Sequence, residues 1–69
     1  MNNIDAIIKM LEQEREWELA CAIETRILMR KTLNPVKRIR LKLQAQMFMD
    51  HALGIGMCIR KVKNFKTQS

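Results

Sequence analysis

A chain of 69 residues makes one small domain, and at that size folding buries only about 60% of the surface the unfolded chain exposes. Hydrophobic residues make up 48% of it, but only Trp17, Phe48 and Phe65 are aromatic, and the formal charge is +6. The apolar mass is Ile, Leu, Met and Ala, which suits helix–helix packing and not the stacking of bases on aromatic rings. So short a chain needs a disulfide, a metal or a partner to complete its core.

The first helix is predicted over residues 3–33. Asn2 or Asn3 can cap it, Asp5 lies in its first turn and Arg30 and Lys31 in its last, each in the sense the helix dipole favours. No glycine or proline interrupts it. Its apolar stripe starts at Ile4, Ile7, Ile8 and Leu11, breaks at Glu12, Glu14, Arg15, Glu16 and Glu18, and resumes from Trp17 through Ala20, Cys21, Ala22, Ile23, Ile27 and Leu28.

Asn34-Pro35 ends that helix and starts the next. Proline disfavours helix in the residue before it and suits the first position of a new one, which makes Asn34 an N-cap. A connection this short folds two helices into an antiparallel hairpin. The second helix is predicted over 35–64, with residues 65–69 a frayed tail. Its first stripe, Leu41, Ala45, Phe48, Ala52, Ile55, Ile59 and Val62, repeats every 3.5 residues. A second stripe, Val36, Ile39, Leu43, Met47, Gly54 and Met57, lies roughly 120–140° around the helix. One neighbouring helix covers one stripe, so the other asks for a second copy, giving a homodimeric four-helix bundle, or for a different protein. Gly54-Ile55-Gly56 is read as a place of close helix packing, or else as a break before residue 57. A lone Gly-x-Gly with no preceding strand is no phosphate loop.

Charge is divided along the chain. Residues 1–24 carry six acids (Asp5, Glu12, Glu14, Glu16, Glu18, Glu24) against Lys9 and Arg15, whereas residues 25–69 carry eleven bases against Asp50 alone. Arg26, Arg30, Lys31, Lys37, Arg38, Arg40 and Lys42 flank the turn and give the hairpin tip a charge of +7, with no acid from residue 25 to 49. Such a tip favours an anionic neighbour: nucleic-acid phosphate, or an acidic protein surface such as the first half of helix 1 in an antiparallel second copy.

Residues that could carry chemistry are few. Cys21 and Cys58 fall on opposite stretches of the hairpin, which pairs residues whose numbers sum to about 68. They are therefore too far apart for the roughly 4.4–6.8 Å Cα separation of a disulfide, and two buried reduced thiols suit a cytoplasmic protein. No signal peptide is visible, and the longest apolar run, Ala52 to Ile59, is far below the ~20 residues of a membrane span. His51, the single histidine, is placed near Trp17 and beside Asp50, with no second group in reach for acid–base work. His51 and Cys58 are separated by about 10.5 Å of helical rise, too far for one zinc ion. Glu14 and Glu18 share a helix face but lack the Glu-x-x-His partner of a di-iron bundle, and are read as interface carboxylates. The methionines are read as core filler, save Met49, which is outside both stripes and suits an adaptable binding surface.

These readings converge on an all-α, non-enzymatic module with no cofactor, metal or small-molecule substrate. It acts as an adaptor, inhibitor or co-chaperone through its apolar faces and basic tip. Trp17, Leu41, Phe48, Ile55, Ile59 and Val62 are its packing or interface residues, and the alternative is a bundle that grips RNA or DNA phosphates through the tip. In size and hairpin plan the chain is similar to the small plasmid-encoded RNA-binding bundles, and it also looks like the small co-chaperones of type III secretion. A phage-encoded inhibitor of a host protein has the same outline. These likenesses are architectural, and no residue motif carries them.

Overall fold

Helix α1 spans Asn3–Lys31 and helix α2 spans Pro35–Gln68 in a computed structural model that describes residues 3–68. The candidate cap Asn2 and the last residue of the tail, Ser69, lie outside the described residues. Between the helices the backbone turns on hydrogen bonds that follow from the sequence. Asn34 Oδ1 accepts the amide of Val36 at 2.9 Å and that of Lys37 at 3.4 Å, and Arg38 N donates to the Asn34 carbonyl at 3.0 Å. That is the expected N-cap, satisfying amides that a helix start would otherwise leave open.

Helix α1 stops two residues earlier than expected. The Thr32 amide bonds back three residues to the Met29 carbonyl at 3.2 Å, and its hydroxyl donates to the Leu28 carbonyl at 2.8 Å. The threonine side chain has taken the acceptor that the next turn of helix would have used. Helix α2 runs further than expected: residues 65–68 are helical, so the expected tail through residue 68 is not frayed. Nothing after Gly56 breaks the helix, Thr67 Oγ1 donates to the Lys63 carbonyl at 2.7 Å, and Lys66 pairs with Asp5 of α1.

The seam between the helices uses the first stripe of α2. Ala45, Ala52 and Ile59 are buried against Ile8 and Ala22 of α1, and Leu41, Phe48, Ile55 and Val62 are half-buried beside them. Three of those five buried side chains are alanines, so the core is thin. The Cα trace spans 53 × 17 × 11 Å with a radius of gyration of 15.9 Å, against about 11 Å for a compact chain of this length. The hairpin is a slab one helix thick.

Candidate interaction surface

With the first stripe of α2 spent on α1, the second stripe stands in the open. Val36, Ile39, Leu43, Met47 and Met57 are all exposed, and a Cβ built on Gly54 would meet nothing within 4 Å. Exposure is not confined to this stripe. Ile7, Met10, Trp17, Ile23, Ile27 and Leu28 on α1 and Leu53 and Phe65 on α2 are exposed too, and Leu33 in the turn is 94% exposed. Met10, Met47 and Met57 are therefore surface residues and not the core filler they were read as. Met49 is half-buried in a groove instead of standing apart.

Two grooves run beside the seam. The larger, about 720 Å³, is near the tip and is lined by Leu28, Leu41, Leu43 and Met47, with Lys37 and Arg40 on its rim. The second, about 570 Å³, lies further from the tip against Leu19, Met49, Leu53 and Met57, and two arginines, Arg15 and Arg60, enter its wall. A Cβ at Gly56 would meet only the Arg15 side chain, at an ordinary contact distance of 3.8–4.0 Å, so no helix backbone is closely packed there. Neither the close-packing reading of Gly54-Gly56 nor a break holds, for α2 is continuous through both.

The seven bases of the tip, Arg26, Arg30, Lys31, Lys37, Arg38, Arg40 and Lys42, are exposed. The ion pairs among the described residues involve none of them. At the other end the two helices are tied by charge, with Lys63 Nζ 3.5 Å from Glu12 Oε1 and Lys66 paired to Asp5. These ties were missed in the sequence, although a signal was present. Their numbers sum to 75 and 71, close to the hairpin constant, with opposite charges at each position.

Glu14 and Glu18 part company. Glu14 is exposed. Glu18 turns into the seam, where its side chain is only 15% exposed, Oε1 lies 3.6 Å from His51 Nδ1 and Oε2 is buried without a hydrogen-bond partner. Glu18 thus stands at the edge of the packed seam, one helical turn from Ala22, which is buried. His51 thus has a carboxylate nearby that the sequence did not reveal, but 3.6 Å is beyond the hydrogen-bond range. Trp17 leans on α2 at Phe48, with ring centroids 6.3 Å apart and an edge-to-face angle of 89°.

Both cysteines are free thiols, Cys21 half-buried and Cys58 exposed; the expectation that both are buried fails for Cys58, which lies off the seam. Partial burial raises the Cys21 pKa, and the nearby Glu24 and Glu18 raise it further. Among the described residues no three His, Cys, Asp or Glu side chains converge on a metal-sized site. No helix there is long and apolar enough to cross a membrane. No protein-family model, curated protein or solved structure matches the chain.

Proposed function

We propose that this protein is a non-enzymatic interaction module, cytoplasmic, which acts by occupying the surface of another chain. The reading is carried by one observation: among the described residues, fourteen large apolar side chains stand exposed on a hairpin one helix thick. Single exposed apolar residues are ordinary, but a continuous stripe at helical spacing is the surface another helix packs against. An adaptor, an inhibitor or a co-chaperone works in this way, and a homodimer is compatible with each.

The test is quantitative capture from the native host with wild type and with Leu43→Glu/Met57→Glu, two changes on the outer stripe of α2 that leave the seam alone. A protein retained by the wild type and lost by a variant of undiminished helicity supports the reading. Equal retention by both would remove the outer stripe from the function.

A second reading has its own observation, the seven tip bases without an ion pair. Nucleic-acid phosphate would answer them, and log affinity would then fall steeply with log salt, by about 0.9 per phosphate contacted on duplex DNA. Binding to mixed RNA and DNA at two salt concentrations reads this directly, with Arg38→Gln/Arg40→Gln expected to flatten the slope. No binding at low salt excludes it.

A further inference from the structure

We infer that two copies of this chain associate about a two-fold axis through the face that carries Trp17, with their basic tips at opposite ends. The inference rests on the interaction-module reading and names the chain itself as the first occupant of its apolar surface.

The area asks for a partner of this size. A compact monomer of 8.2 kDa exposes about 4,500 Å² by the scaling of globular proteins, and this chain exposes 5790 Å². The excess is roughly 1,300 Å², and a specific interface buries about 800 Å² per partner, more in obligate homodimers. One second copy therefore brings the chain to the surface expected of a globular protein.

The face is chosen by Trp17. This residue is 62% exposed although it leans on Phe48, and a large aromatic left half in water is the commonest anchor of an interface. At 100° per residue Met10, Trp17 and Leu28 fall within about 20° of one another on α1. Leu28 also lines the larger groove with Met47, so the three share that groove's side of the hairpin. Ile23 and Ile27 lie roughly 110° away, on the other side.

Symmetry follows from the spacing. Four positions exposed or half-buried on that side of α1, residues 10, 17, 21 and 28, are symmetric about position 19. An antiparallel pairing of α1 with its copy therefore sets Met10 at the level of the partner's Leu28 and its groove, and Trp17 against the partner's Cys21. The same register places Glu14 opposite the partner's Glu24, two acids with no cation of their own among the described ion pairs.

Orientation follows from charge. Tips side by side would crowd two charges of +7, whereas opposite ends of a 53 Å hairpin lie several Debye lengths apart at about 8–10 Å each.

The experiment is light scattering of the full chain over a concentration series, with Trp17 emission followed on dilution. A mass of two chains, with emission moving to the red as the pair dissociates, is expected. A helical monomer with invariant emission overturns the inference and leaves hetero-partner capture by the outer stripe untouched. Trp17→Lys and Leu28→Lys should weaken association at least tenfold and Ile23→Lys leave it unchanged; the reverse pattern overturns the face. Glu14→Gln should tighten it a few-fold, and weakening would refute the register. Spin labels on Leu33→Cys, with Cys21→Ala and Cys58→Ala, should read a tip-to-tip separation of about 42 Å, 28 positions at ~1.5 Å of rise each. Less than half of that overturns the orientation.

Discussion

Glu18 shows how one residue departs from its pattern. By spacing it shares a face with Glu14, yet Glu14 is exposed and Glu18 sits in the seam with one oxygen 3.6 Å from His51 and the other unpartnered. A buried acceptor without a donor costs about 1–3 kcal/mol, and a 3.6 Å contact with a half-exposed histidine returns little of that. Glu18→Leu should therefore stabilise the hairpin by about 1 kcal/mol in urea unfolding. A loss of stability would show that the His51 contact is worth more than its length suggests. The two thiols make a second contrast. Burial together with Glu24 and Glu18 keeps Cys21 protonated further into the alkaline range than usual, and the thiolate is the species that reacts. Alkylation should consume Cys58 first, and the pH–rate profile of Cys21 should be displaced to higher pH; equal rates at neutral pH would contradict this.

At the scale of the element, α2 is a helix that resists its own composition. Gly54 and Gly56 each cost about 1 kcal/mol in a helix interior, but the ladder runs through both without positive φ. Gly54 faces open space, so Gly54→Ala should raise hairpin stability by about 1 kcal/mol, seen as a higher urea midpoint with unchanged slope. A decrease would mean that something approaches that position closely. Side chains mark the end of α1 and both ends of α2. Asn34 caps α2, the Thr32 hydroxyl closes α1, and Lys63 and Lys66 hold the last turns of α2 to Glu12 and Asp5. Caps of the Asn kind are visible in a sequence because they act within three residues. The Lys66–Asp5 contact joins residues 61 apart and is legible only once the hairpin pairing sets their opposite charges at one level.

The whole molecule is short of core. Among the described residues, five buried apolar side chains, three of them alanine, sit beneath a surface larger than an 8.2 kDa globule should have. If a second chain completes the core, unfolding is linked to association. The midpoint of thermal unfolding should then rise by several degrees over a hundredfold increase in chain concentration. A midpoint independent of concentration would place the stability of the fold in the single hairpin.

Much of this architecture follows from the order of the residues alone. Proline after asparagine stops one helix and starts another, the 3.5-residue repeat of α2 marks the stripe that meets α1, and the clustering of bases around the turn makes the tip cationic. These are local or periodic properties, and a short connection leaves the two helices little choice but to lie antiparallel. What each side chain does with its surroundings was decided in three dimensions. Whether Glu18 points in or out, whether Arg15 lies against Gly56, and how far α2 runs past residue 64 all depend on the rotation of one helix against the other. Many small contacts set that angle together, and no single stretch of sequence records it. The second stripe joins both halves of the account: periodicity predicts it, and the burial of the first stripe leaves it open to a partner.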